Sequence, residues 1–365
     1  VTPGSAIEID LDSGTWTEKQ WYNLAKHLPD LSGASEVELV EEGARRIEQA
    51  IADHLIADVR TGLNVSGGVD SSTLVGVARR YVKDIHLFTQ DYEPPYSEAQ
   101  WVMQVAGDSP LHLMQLTDGH IRRVLDRTVR LQAEPFGGVT VAGYHYLYGE
   151  ANRQDITVLL DGNGVDEVFL GYQKYHAAAV RLANDDSEWI SLGAAYRDFW
   201  QSDPPSRGAI DFKQQSIDGS DGARPQAVAD FLRSRATILP APDFSGQFAD
   251  PVRAIAAADF FVSKIPRGLR FNDRMSMGHS KELRVPFLDH RLVEFGFAVP
   301  RKFLLSSDGS KALFRKIAKR WAPTNVVYAA KRSVQSPQRE WLAGPWRGMV
   351  ESVLCSESFA ARGWV

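Results

Sequence analysis

A single cysteine, Cys355, stands among 365 residues. One thiol cannot build a disulfide framework, so the fold must rest on its core and hydrogen bonds. No apolar run reaches the ~18–20 residues a membrane span requires. The opening residues lack the pattern of a secretory signal, and a reducing cytoplasm is the expected compartment. Neither sign of charge dominates: 41 Lys and Arg against 46 Asp and Glu leave a net charge of −5. With the two signs mixed along the chain, a nucleic-acid or anionic-membrane surface is not expected. The histidines, among them His54, His86, His112 and His145, show no His-Glu-x-x-His spacing. They read as packing or surface residues rather than metal ligands. No internal repeat or long low-complexity tract appears.

What is present is ordinary globular material. Hydrophobic residues make up 44% and charged residues 24%, enough for a large core. The length suggests roughly two domains.

The most informative stretch is Ser66-Gly67-Gly68-Val69-Asp70-Ser71-Ser72. Gly62-Leu63-Asn64-Val65 leads in as a strand, and the residues from Thr73 lead out as a helix running to about Lys83. A glycine turn between strand and helix lets backbone N–H groups converge on an anion, and the helix N-terminus adds a positive dipole end. Ser66, Ser71 and Ser72 can donate further hydrogen bonds. Asp70 would repel a phosphate, so it makes sense as a ligand of Mg²⁺ bridging phosphate oxygens. The Gly-Lys-Ser/Thr of a Walker A loop is missing.

Alternating signals surround this loop. Ser35-Glu36-Val37-Glu38 forms a capping box ahead of Val40, Ala44, Ile47, Ile51 and Leu55 at helical spacing. Strands are expected at 84–89 and 111–116, helices at 98–106 and about 117–133, and a strand buried on both faces at Ile156-Thr157-Val158-Leu159-Leu160. Strands alternating with helices predict a doubly wound parallel α/β sheet, whose ligands sit at the carboxyl ends of strands. From about Tyr172 strand signals fade and helical, aromatic-rich segments take over, interrupted by a polar stretch from Ser202 to Arg224 that reads as a surface loop.

The buried strand runs into Asp161-Gly162-Asn163-Gly164-Val165-Asp166-Glu167 and then Val168-Phe169-Leu170-Gly171-Tyr172. A second acidic glycine loop fits a second Mg²⁺ ligand facing Asp70, with Asp166 ahead of Glu167. An Asx-type turn capping a helix is the plain alternative. A third segment reads Lys281-Glu282-Leu283-Arg284-Val285-Pro286-Phe287-Leu288-Asp289. Its Arg284 and Asp289 look like parts of a packed turn.

The first motif resembles the pyrophosphate loop of the N-type ATP pyrophosphatases, of the adenine nucleotide α-hydrolase fold. All three motifs, in this order, resemble the C-terminal synthetase domain of the asparagine synthetase family. The resemblance covers nearly the whole chain. It implies a ligase that adenylates a carboxylate with ATP, releases pyrophosphate and lets an amine displace AMP, as in making asparagine from aspartate and ammonia. The same architecture serves β-lactam synthetases, lasso peptide cyclases and sugar-acid amidotransferases, so another carboxylate, small-molecule or peptide, is the alternative substrate. The rivals from elsewhere are a non-catalytic ATP-binding scaffold and another pyrophosphatase-loop enzyme, such as an NAD or GMP synthetase.

Carried over by motif, Ser66, Gly67, Gly68, Ser71 and Ser72 would cradle pyrophosphate, and Asp70 and Asp166 would bind Mg²⁺. Asp161 and Gly162 would contact adenosine. Lys311, in Ser310-Lys311-Ala312-Leu313-Phe314-Arg315, would stabilise charge on the α-phosphate and the tetrahedral intermediate, and Lys331 would face pyrophosphate. Two departures stand out. Asn163 occupies a place where glutamine-dependent members carry a Glu, and a neutral amide cannot act as a general base. Ala329 replaces an Arg. The resemblance also divides the chain into 1–34, a strand segment left from or linking to a glutaminase-like domain, 35–175, the α/β domain, and 176–365, a helical subdomain. The first residue is Val1, not the cysteine nucleophile of a glutaminase. Ammonia or an amine would then come from solution, a separate glutaminase domain or the substrate itself. The oligomeric state is left open.

Overall fold

The computed structural model describes residues 2–208, 210, 243–306, 309–329 and 336–362. A two-stranded antiparallel hairpin, β1 (Ser5–Ile9) and β2 (Trp16–Gln20), opens it. Helix α1 (Glu36–Leu55) starts at the expected capping box: Ser35 Oγ accepts from the Glu38 amide and the Glu38 carboxylate accepts from the Ser35 amide. Its Leu39, Ala44, Ile47, Ile51 and Leu55 are buried, the apolar stripe that the helical spacing requires.

Strand β3 (Thr61–Asn64) is buried along its length. There follow α2 (Val69–Ala78), β4 (His86–Asp91), α3 (Ala99–Ala106), β5 (Leu111–Gln115), α4 (Asp118–Gln132), α5 (Thr140–Arg153) and β6 (Val158–Leu160). A fifth strand, β7 (Glu282–Arg284), completes the sheet from far along the chain. The order is β5-β4-β3-β6-β7, and every pairing is parallel. The chain runs outward from β3 through β4 to β5, then returns to place β6 on the other side of β3. The topological switch point therefore lies between β3 and β6, where a crevice opens at the carboxyl ends of the strands. Both glycine motifs leave the sheet there.

The doubly wound parallel sheet is as expected; two local details differ. Helix α2 begins at Val69, not Thr73, with Gly68 as an extended N-cap (φ −87°, ψ 162°). Asp70, Ser71 and Ser72 thus lie in the first helical turn. Strand β7 escaped the sequence reading because it has three residues, two of them charged, too short for any period to show.

Among the described residues the second half is helical apart from β7 and a small hairpin: α6 (Val165–Val168), α7 (Gln173–Arg181), α8 (Asp186–Trp200), α9 (Pro251–Phe261), α10 (Lys264–Met277), α11 (His290–Ala298), the hairpin β8 (Leu305–Ser306) and β9 (Gly309–Ser310), α12 (Ala312–Ala318), and the short helices α13 (Thr324–Val327), α14 (Gln338–Ala343), α15 (Arg347–Leu354) and α16 (Glu357–Ala360). Most of the predicted polar loop from Ser202 to Arg224 lies outside the described residues. The main core is continuous from α1 and the sheet into these helices, joining Ile47, Leu63, Leu160, Phe169, Phe295 and Phe314. Among the described residues no helix is long and apolar enough to cross a membrane.

Candidate active site

At the switch point lies a cavity of about 700 Å³. Its floor is the first loop. Ser71 Oγ donates to Ser66 O at 2.6 Å, and the Ser66 amide donates back to Ser71 Oγ at 3.1 Å. Ser66, Gly68, Asp70 and Ser71 line the space. Gly67 and Ser72 stand outside its wall. A Cβ on Gly67 would run into Trp101, so its glycine lets the loop lie flat on α3. Ser72 Oγ donates to Gly68 O at 2.7 Å, closing the first helical turn.

The second loop approaches from β6. A Cβ on Gly162 would lie 3.4 Å from the Ser71 amide, so the two loops touch. Of the alternative foreseen, an Asx turn capping a helix, only the turn forms: Asp161 Oδ1 accepts from the Asn163 amide at 3.1 Å, while α6 starts at Gly164 with no side-chain cap. Asp161 Oδ2 accepts from Asn64 Nδ2 at 3.2 Å, tying the turn to β3. Burial holds the Asp161 carboxyl above the usual range against these bonds. Gly164 has φ +106° and would drive a Cβ into Leu288. The Pro286–Leu288 turn therefore backs the loop. Arg284 and Asp289 hold that turn, as the sequence suggests. Arg284 Nη1 donates to His54 O at 2.8 Å and Ile56 O at 2.7 Å, and Asp289 caps α11 through the Arg291 amide.

Lys311 joins the loops. Its Nζ lies 2.8 Å from both carboxylate oxygens of Asp70 and 2.8 Å from Asp166 Oδ1. Burial pulls its pKa down, but Asp166 and Asp70 pull harder, and the net shift is upward. The ammonium stays charged. Its backbone lies in the left-handed region (φ +57°) immediately before α12, a conformation costing about 1 kcal/mol outside glycine. Arg315 helps to hold that bend, its Nε donating to Ser310 O at 2.9 Å. Lys331, the other expected cation, lies outside the described residues.

Gly171 is the residue whose purpose only the structure reveals. Its amide donates to Asp166 O at 2.7 Å, and a Cβ there would overlap the Asp166 carboxylate and lie 2.6 Å from Lys311 Cε. Glu167, almost fully buried, turns into the same cavity wall; burial first, then the Asp166 charge, pushes its carboxyl up to about 7. Lys264 and Arg267 on α10 also line the cavity, with Lys264 Nζ 3.7 Å from the Tyr172 ring centroid. No motif marks them. A pair of cations three residues apart on one helix was the available signal.

Asp70 and Asp166 fit Mg²⁺ in donor type and arrangement: two carboxylates from separate loops converge on one positive charge. Among the described residues no cluster of three or more His, Cys, Asp or Glu side chains could hold a metal. A magnesium ion here would need phosphate and water oxygens for its remaining ligands, the usual arrangement at nucleotide sites.

Residues 42–365 match the family model described as asparagine synthase. Over 371 residues the chain is 24% identical to asparagine synthetase [glutamine-hydrolyzing] 1 of Bacillus subtilis, covering 97% of this chain and 58% of that protein. It is 25% identical to asparagine synthetase [glutamine-hydrolyzing] 3 of the same organism, over 78% of this chain and 46% of that one. Amidase chyE of Penicillium rubens is 21% identical over 91% of this chain and 57% of its own length. The chain thus spans about half the length of these curated relatives. Among solved structures, NMN synthetase from Francisella tularensis aligns over 66% of this chain and 96% of its own, at 13% identity and a TM-score of 0.28.

Proposed function

This chain belongs to the asparagine synthase family, and we propose that it is an ATP-dependent, AMP- and pyrophosphate-forming amide ligase. The observation that carries this reading is Lys311 held by Asp70 and Asp166 between two glycine loops at the switch point. A carboxylate attacking the ATP α-phosphate must overcome charge repulsion. A buried ammonium supplies positive charge where negative charge builds up, and a site fixed in advance needs little reorganisation.

In this reading the first loop's amides and the Ser66 and Ser71 hydroxyls bind the departing pyrophosphate. Asp161 and Gly162 face the adenosine. Asp70 and Asp166 would hold Mg²⁺, which when bound neutralises charge on the triphosphate. Lys311 stabilises the α-phosphate as the acyl-adenylate forms, and the oxyanion when an amine attacks it. Lys331 is assigned to pyrophosphate by motif alone.

Aspartate with ammonia as the amine source is the first substrate assignment. Amidation or cyclisation of another carboxylate is the second, favoured by the neutral Asn163 in the cavity wall, since an amide side chain cannot remove a proton from the amine. The relatives include proteins named as amidases. Pyrophosphate release from ATP and Mg²⁺, with aspartate plus ammonium set against a panel of other acids and amines, separates these assignments. Turnover with aspartate supports the first, and turnover only with another acid supports the second. Silence with every acid, together with intact ATP binding, would leave an ATP-binding scaffold.

A further inference from the structure

Lys264 puts a half-buried cation into the cavity wall, and the carboxylates around it are engaged elsewhere. Its ammonium sits over the Tyr172 ring, a contact that attracts the charge but supplies no oxygen acceptor. The carboxylates whose charge reaches it are Asp259, Glu167 and Asp166. Asp259 Oδ2 accepts from the Tyr175 hydroxyl at 2.5 Å and pairs with Lys174 at 2.6 Å. Tyr172 hydrogen-bonds Glu167, and Asp166 holds Lys311. Burial first, then the charge of Lys174, works against the Lys264 ammonium and lowers its pKa. Lys174 Nζ is sealed inside the protein, whereas Lys264 keeps accessible surface and lines the cavity. One turn along α10 the exposed Arg267 lines it too. Neither cation has a part among the groups assigned above to phosphate, metal and adenosine.

We propose that Lys264 and Arg267 hold a second carboxylate on the acid that is adenylated, so that α10 selects dicarboxylic acids. The inference rests on the adenylating function proposed above and deepens it by naming the substrate class. The reacting carboxylate must approach an α-phosphate flanked by further phosphate charge, an unfavourable encounter. Contacts to a part of the acid that does not react supply binding energy that holds it there. A carboxylate fits this pair: it meets the ammonium as a point charge and the guanidinium with two parallel N–H donors. An apolar acid of the same length leaves both cations unmet, and a cationic acid is repelled. The pair reads the far end of the acid by its charge, so it serves aspartate and a dicarboxylic acid without an amino group alike. Neither residue makes or breaks a bond.

The test measures acid binding to the full chain by calorimetry, in magnesium buffer with saturating α,β-methylene-ATP, which cannot be cleaved between its α- and β-phosphates. Succinate, glutarate, adipate and aspartate are each compared with the acid that lacks the second carboxylate: butyrate, pentanoate, hexanoate and β-alanine. In the wild type one or more of the dicarboxylates should bind at least about tenfold more tightly than its partner acid, the worth of a charge-assisted hydrogen bond. Lys264→Met keeps the stem over Tyr172 and removes the charge, and Arg267→Ala removes the second cation at an exposed position. Each should cut the preference about fivefold or more, with α,β-methylene-ATP affinity within about twofold of wild type. No preference in the wild type, a preference kept in either variant, or equal losses for nucleotide and acid would overturn the inference. Wild-type protein that does not bind α,β-methylene-ATP would instead overturn the adenylating function itself.

Discussion

A side chain at Gly171 would occupy the place where the Asp166 carboxylate meets Lys311: an added Cβ overlaps the former and lies 2.6 Å from Cε of the latter. Gly171→Ala should therefore push the ion pair apart while sparing the core. Displacements of about 1 Å in a reacting constellation cost ~100-fold in rate. Pyrophosphate release should fall by about that factor, with the melting temperature little changed. A rate within threefold of wild type would mean the pair tolerates the shift.

Lys311→Ala should lower turnover by several orders of magnitude, since a preorganised charge beside a developing oxyanion is worth ~3–4 kcal/mol. Lys311→Arg should not rescue it, because a planar guanidinium cannot reproduce a point charge between two carboxylates. Rapid-quench measurement of AMP formation checks both. Full activity in either variant would make this lysine a structural counter-ion.

Asp70→Asn should abolish magnesium-dependent pyrophosphate release and leave the circular dichroism spectrum unchanged. Asp166→Asn should do the same. Near-normal turnover in either would remove that residue from the metal assignment.

His176, fully buried, has its pKa lowered from 6.5 to about 4 by desolvation, and its Nδ1 accepts from Trp200 Nε1 at 3.2 Å. His145 is likewise lowered to about 4, first by burial and then by His279 and Arg127. Both rings are neutral in the fold but charge on unfolding below 6.5. Between about pH 6.5 and 4 the unfolded chain binds more protons, so stability falls as pH falls, by up to about 3 kcal/mol per ring. Denaturant midpoints at stepped pH should show this slope. His176→Asn, which keeps an acceptor for Trp200, should make it shallower and leave the share of His145. An unchanged slope would remove His176 from the acid response.

Arg284→Ala should cost about 2 kcal/mol of stability, because the His54 and Ile56 carbonyls at the end of α1 lose their donor. Pyrophosphate release per folded molecule should stay near wild type. A selective loss of rate would give Arg284 a role in the site rather than in the frame.

The sheet and the site were legible in the sequence to different depths. The capping box of Ser35 and Glu38, the glycine loop from Ser66 to Ser72 and the apolar run into β6 are local signals, and local physics places them where they stand. Lys311 has no local signal. Its importance comes from motif resemblance, and its geometry comes from α12 docking beside two loops more than a hundred residues away in sequence. Gly171 was legible as a letter of a motif but not as a space, because the groups that fill the space arrive from Asp166 and Lys311. Arg315, Lys264 and Arg267 lie on helices whose cavity-facing side only tertiary packing defines.

Strand β7 pairs with β6 in the register Val158 to Glu282. That pairing gives the sheet an order of assembly. Strands β3 to β6 can form as the chain emerges, but β6 keeps an open edge until residues 282–284 arrive. Closing so long a loop is slow. A fragment ending near residue 175 would expose an apolar parallel edge, the kind that recruits other chains. Covering the β6 edge and protecting the nascent chain from aggregation are thus one event, timed by the synthesis of a three-residue strand.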